Sequence, residues 1–154
     1  MRKTVLMLGV AMLIGVGSRT ARAHKAHEGL PAGPIHERHE LMEGIGKSAK
    51  AIGDAMKTHK NDVIAAAAEK IHVAAGKVTG LFPKDSTHPK SRAKPEIWAK
   101  WAEFEKSAKQ LEAHSAELAA AAKTGGDVGA AAKTMFGDCK GCHDQFRTPE
   151  KDEK

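Results

Sequence analysis

The 154-residue sequence has no tyrosine, only two tryptophans and four phenylalanines, and aromatics make up 4% of it. Side chains of this kind supply little bulk, so an ordinary aromatic-filled core is excluded. Cysteine is almost as scarce. Cys139 and Cys142 are the only two, too few for the disulfide framework of a small secreted scaffold or for a closed four-thiolate zinc site. No segment alternates apolar and polar residues in the manner of a half-buried strand. Charge of one sign never accumulates into a long block, which argues against a nucleic-acid binder. The longest apolar run, Val5 to Val16, is too short to span a membrane well.

That run nevertheless has a place. Arg2 and Lys3 precede it, and Ala21-Arg22-Ala23 follows with the small-x-small pattern of a signal-peptidase site. Residues 1–23 therefore read as a signal peptide and residues 24–154 as the exported domain, which in a Gram-negative cell means the periplasm. Removing the leader lowers the formal charge from +6 to +2, leaving 21 Lys and Arg against 19 Asp and Glu. The remaining chain has room for one domain with one core. It contains 24 alanines, which let helices approach closely, and a large apolar cofactor would supply the missing volume.

Helical periodicity dominates the rest. Pro34 suits a first helical position, and Ile35, Leu41, Met42, Ile45, Ala49, Ile52 and Met56 recur at three- and four-residue steps to near Lys57–His59. Asn61 or Asp62 caps a second segment carrying Val63, Ile64, Ala67, Ile71, Ala74, Ala75 and Val78 up to about Gly80. Residues 79–94, with Pro83 and Pro89, form a long connection. Pro95 and Glu96 open a third segment whose inner face is Ile97, Trp101, Phe104, Ala108, Leu111 and Leu118. Thr124-Gly125-Gly126 ends it, and Asp127 caps a fourth with Val128, Ala131, Ala132, Met135, Phe136, Cys139 and Phe146 inward. The expected fold is all-α, an antiparallel four-helix bundle, closed so that all four stripes are buried at once. Gly44, Gly46 and Gly53 are costly inside a helix, and their presence predicts close approach to a cofactor or a neighbouring helix.

The chemistry lies in Cys139-Lys140-Gly141-Cys142-His143. C-x-x-C-H is the attachment pattern of haem c: each thiol adds to a vinyl group as a thioether, and the histidine gives a ring nitrogen to the iron. On a helix at about 100° per residue, Cys142 sits about 60° to one side of Cys139 and His143 about 40° to the other, so all three address one haem edge. A disulfide, a thioredoxin-like pair and a zinc site also use cysteines. The redox pair needs a βαβ context that is missing, and zinc needs a fourth ligand at plausible spacing. His24, His27, His36 and His39 near the start invite a metal site as well, but a polar terminus needs no metal to explain it.

With Arg38 and Met42 in the first helix, Leu81-Phe82-Pro83 after the second, Pro95-Glu96-Ile97-Trp98 opening the third and Cys139 to Arg147 at the end, the chain resembles the class II cytochromes c, the cytochrome c′ family. The resemblance implies one covalently bound haem c between the helices, with His143 as proximal ligand and Arg38 and Arg147 close to it. Arg147, at His143 plus four, would share the ligand's helix face and could pair with a propionate. Gas-binding members of that family leave the position opposite the histidine without a ligand. A low-spin branch has methionine there, as this chain has Met42 one turn after Arg38. A Met/His pair suits electron transfer. The leading expectation is therefore a periplasmic monohaem electron carrier, not an enzyme. It would exchange electrons with redox proteins as a monomer or a homodimer, off the membrane once the leader is cut. The alternative is a five-coordinate cytochrome c′ that binds nitric oxide or carbon monoxide. A peroxidase would need an acid-base residue over an open iron, and only His39 and Glu40 offer one.

Overall fold

The computed structural model describes residues 29–149, so the expected leader, His24 and His27 lie outside the described residues. Five helices follow in order: α1 Pro34–Met56, α2 Asn61–Ala75, α3 Glu96–Ala99, α4 Trp101–Thr124 and α5 Val128–Phe146, with a 3-10 turn Thr79–Leu81 after α2. Among the described residues no strand forms. The one β-type contact is an isolated antiparallel bridge between Ala93 and Arg147. The long helices α1, α2, α4 and α5 make the expected antiparallel bundle.

Local chemistry explains most boundaries. Pro34 occupies the first turn of α1, where its missing N–H costs nothing. Asp127 caps α5 by accepting from the Ala130 N–H at 2.9 Å, and Gly125 ends α4 in the left-handed region at φ 77°, the conformation glycine adopts without steric cost. Three boundaries differ from expectation. Lys60 stands at the N-cap of α2 with no side-chain cap, so neither Asn61 nor Asp62 serves. The helix ends at Ala75 and passes through turns to Thr79–Leu81. The third segment breaks at Lys100, whose φ of −121° and ψ of 44° leave the helical region. That break turns Trp101 outward to 37% exposure, against the inward position its spacing predicts.

The core is built on close approach of α2 and α4. Ala65, Ala67, Ala68 and Ala75 of α2 are buried, as are Ala108, Ser115, Leu118, Ala119 and Ala122 of α4. Small side chains at the contact bring helix axes together. Ser115 returns its hydroxyl to the Leu111 and Glu112 carbonyls at 2.6 and 3.0 Å, so no polar atom there lacks a partner. The aromatic residues gather at one end, where Phe104 meets Phe82 and Phe146 edge-on at centroid distances of 4.8 and 5.3 Å.

The bundle is not closed evenly. α1 packs on α2, α2 on α4 and α4 on α5, but α1 and α5 are scarcely packed along each other. The glycines of α1 do not explain the gap. A Cβ on Gly44, Gly46 or Gly53 would meet nothing within 4 Å, so no neighbouring helix closes on these positions.

Candidate haem site

The chemistry-bearing residues lie on α1 and α5, the two long helices that are scarcely packed along each other. On α5 the buried face is marked by Ala132, Met135 and Phe146. Cys139 and Cys142 share that face half-buried, and His143 stands at its margin with an exposed side chain. The helix is held to α4 by His114 Nδ1 against Asp138 Oδ2 at 2.6 Å and by Gln145 Nε2, which donates to Glu103 at 2.5 Å. This fixes which way the Cys-x-x-Cys-His turn faces.

Across the seam, α1 buries Arg38, Ile45, Ile52 and Ala55. Leu41, Gly44 and Ser48 line a groove shared with Lys70, Ala74 and Lys77 on the α2 side. Met42 lies about 100° further round the helix than Leu41, on the shoulder of the stripe turned away from α2. It is half-buried there and packs on the core cluster. Of the six residues expected at the site, Cys139, Cys142 and His143 share one turn of α5, and Arg38 and Met42 share one turn of α1.

Arg147 departs from expectation. It is the C-cap of α5 with extended backbone, φ −121° and ψ 133°, so it does not continue the helix face of His143. Its N–H still donates to the His143 carbonyl at 3.0 Å, which keeps its charge close to the imidazole.

Electrostatics sort the possible uses of the motif. Burial pushes the Cys142 thiol up to about 11, with Cys139 adding to the effect. The Cys139 thiol is raised by burial and by the neighbouring Asp138 carboxylate. Among the described residues no group of three or more His, Cys, Asp or Glu could hold a metal ion. Conversion to thioethers removes the titrating protons without leaving a buried charge, so both positions fit covalent haem attachment. Although one side of the His143 ring is open to solvent, packing of the other side against the bundle holds it below its ordinary value, with the Arg147 and Arg92 cations adding to the effect. It is therefore kept as the neutral imidazole that iron binds.

Arg38 is 4% exposed, and burial lowers its pKa from the usual value. Its guanidinium donates to Ser86 Oγ at 2.9 Å, Ser86 O at 2.8 Å and Ser91 Oγ at 3.0 Å and lies 4.7 Å from the Phe82 ring centroid. All three acceptors are neutral. The Nε proton and one Nη1 proton stay available for an anion. The sequence did not foretell Arg92, Ser86, Ser91, Lys94 or the His114–Asp138 pair. Its only hint of them was the density of cations at Lys84, Lys90, Arg92 and Lys94. His36 ion-pairs with Glu40 at 3.4 Å, and it forms no metal site with His39.

Comparison with known proteins agrees with this geometry. A family model described as Cytochrome C′ matches residues 33–147. A cytochrome c′ of Pararhodospirillum photometricum is 31% identical over 123 residues, 76% of this chain and 98% of the relative. A cytochrome c-556 of Agrobacterium tumefaciens (strain II Chrys) is 31% identical over 120 residues, 75% of this chain and 98% of the relative. Cytochrome c prime from Shewanella frigidimarina shares the fold at a TM-score of 0.70 with 23% identity, over 75% of this chain and 94% of that one. These likenesses support the family and not the narrower Met/His branch expected within it. With a matching family model along the bundle and a Cys-x-x-Cys-His turn on its last helix, the chain belongs to the cytochrome c′ family and binds one covalently attached haem c.

Proposed function

We propose that the protein is a periplasmic electron-transfer cytochrome in which Cys139 and Cys142 anchor the haem, His143 is the proximal ligand and Met42 the distal one. The observation that supports this reading is the half-buried placement of Met42 on α1, on the shoulder of the stripe turned away from the groove beside α2, in a bundle whose α1 and α5 are scarcely packed along each other. The haem supplies the one-electron couple. The chain's own residues hold it, orient it and shield it.

Each part follows from the local environment. Burial favours uncharged thioethers over thiolates at Cys139 and Cys142. The low basicity of His143 keeps its imidazole neutral, so the metal meets a ligand and not an imidazolium. A thioether on a flexible side chain is a soft axial ligand that favours the reduced state. The free Nε and Nη1 protons of Arg38 and the cations of Arg92 and Arg147 suit two propionates. Among the described residues no helix is long and apolar enough to cross a membrane. On this reading the protein exchanges electrons with redox proteins, as a monomer or a homodimer.

A second reading is favoured by a specific observation. The relatives are mostly named cytochrome c′, and those names weigh toward the five-coordinate, gas-binding form more than toward the Met/His carrier. In that form Met42 would pack beside the iron without binding it, and nitric oxide or carbon monoxide would take the open position. Met42→Ala separates the two. If Met42 is a ligand, the variant loses a low-spin absorption and magnetic-resonance signature and gains rapid carbon monoxide binding in the ferrous state. A wild type already high-spin and fast with carbon monoxide would establish the gas-binding form instead.

A further inference from the structure

We infer that the crossover segment 83–94 is a strap that sets the spacing of α1 and α5, with Arg38 and Lys94 as positioning residues at its two fastenings. The inference rests on the reading of Met42 as distal ligand, because the strap then governs whether that side chain reaches the metal.

The seam has little helix-to-helix packing of its own, so something else must hold its walls in register. One fastening is on α1. Arg38 grips Ser86 through both side chain and carbonyl, grips Ser91 through its hydroxyl, and stacks on Phe82. It does so four residues before Met42, one helical turn away. The planar fork of a guanidinium reaches these acceptors together in a way a lysine ammonium does not.

The other fastening is on α5. The Lys94 N–H donates to the Phe146 carbonyl at 2.9 Å, and Lys94 Nζ donates to the carbonyls of Asp144 and Gln145 at 3.1 and 3.2 Å. Those carbonyls belong to the last turn of α5 and have no helical partner of their own. Arg92 and Thr148 close the grip, the Thr148 N–H donating to Arg92 O at 2.8 Å and Arg92 Nε to Thr148 O at 3.0 Å. The two fastenings are close in the chain. Ser91 and Lys94 are three residues apart, so roughly 10 Å of backbone is all that separates the hold on α1 from the hold on α5. A link that short transmits position and does not merely tether.

Arg38 pairs with no carboxylate among the described residues, and a buried cation that meets only neutral acceptors is a costly way to stabilise a core. Lys94 reaches past solvent to cap the very turn that follows His143.

The test uses holoprotein. Four variants are compared with Met42→Ala: Arg38→Lys, Arg38→Gln, Ser86→Ala combined with Ser91→Ala, and Lys94→Met. Ferrous carbon monoxide association, ferric spin state and amide hydrogen exchange over residues 36–46 and 84–94 are measured for each. Losing charge-assisted bonds at either fastening should shift the seam's opening equilibrium roughly ten-fold or more. Carbon monoxide association should accelerate by a similar factor, with faster exchange in both windows and unchanged overall helicity. Arg38→Lys should not rescue, and Arg38→Gln should add nothing on a Met42→Ala background.

If Met42→Ala is fast with carbon monoxide while all strap variants match wild type, the strap is refuted and the ligand reading stands. If Met42→Ala changes nothing, the ligand reading falls and the strap's control of coordination falls with it. The Ser86→Ala, Ser91→Ala pair leaves every helix residue in place. Should Arg38→Gln fail to fold, wild-type exchange and rates in that pair would still overturn the inference.

Discussion

Two seams of the bundle contrast sharply. Between α2 and α4 the contact is close and rich in alanine, with Ala68, Ile71 and Leu118 wholly buried and His72 Nδ1 against the Glu112 carbonyl at 3.0 Å. Between α1 and α5 the helices hardly touch, and these are the two helices that carry the cysteines, His143, Met42 and the buried Arg38. The first seam is fixed by packing, whereas the second is spanned by the crossover, which bonds to both of its helices. Stability and chemistry are thus assigned to different pairs of helices. A change in one seam should be felt weakly in the other.

The strongest way to break the contrast is at the attachment turn. Replacing both Cys139 and Cys142 with serine should abolish covalent haem, read as no haemochrome after denaturation, while circular dichroism still reports helices held together by the α2–α4 contact. Collapse of that helicity would show that the two seams are not separable. Leu118→Ala acts on the opposite seam. Removing a fully buried leucine should cost about 2–5 kcal/mol in denaturant unfolding, with the axial-ligand spectrum of the folded protein unaltered. A spectrum that moved with it would tie coordination to core packing.

The smallest expected effect sharpens the picture through pH. The folded chain holds His143 below its ordinary value, by burial first and then by Arg147 and Arg92. Below about 6.5 the unfolded chain therefore binds more protons than the folded one, and apoprotein stability should rise with pH through that window and level off above it. Denaturant midpoints of apoprotein from pH 5 to 8 check the sign, and a rise continuing above the window would assign the effect to another group. Arg92→Gln should flatten the rise in part.

Much of this was legible in the chain. The 3.6-residue stripes, Pro34, Asp127 and the Gly125 stop specify the long helices because each acts within a turn of its own position. The Cys139 to His143 turn is equally local, which is why attachment could be read without coordinates. The Lys100 break was not legible, since Glu96 to Phe104 keeps a helical apolar spacing through it and only the packing of Trp98 on one side and Phe104 on the other reveals the kink. The strap was hidden for a different reason. Arg38 meets Ser86 across 48 residues and Lys94 meets Asp144 across 50, and such pairings leave no period in a single sequence. The turn of Arg147 out of the helix was not legible either, because helical spacing does not tell at which residue the helix stops.

The kink at Lys100 has one more consequence. The chain's only two indoles flank it, in a protein without tyrosine. Trp98 donates its Nε1 proton to the Pro83 carbonyl at 2.9 Å, and Trp101 looks toward solvent beside Phe104 at 5.6 Å. Ultraviolet emission of this protein therefore originates from a single corner, where the crossover begins. A fluorophore bonded to Pro83 and another facing water give that corner an inner and an outer optical probe, ready to follow its loosening without any added label.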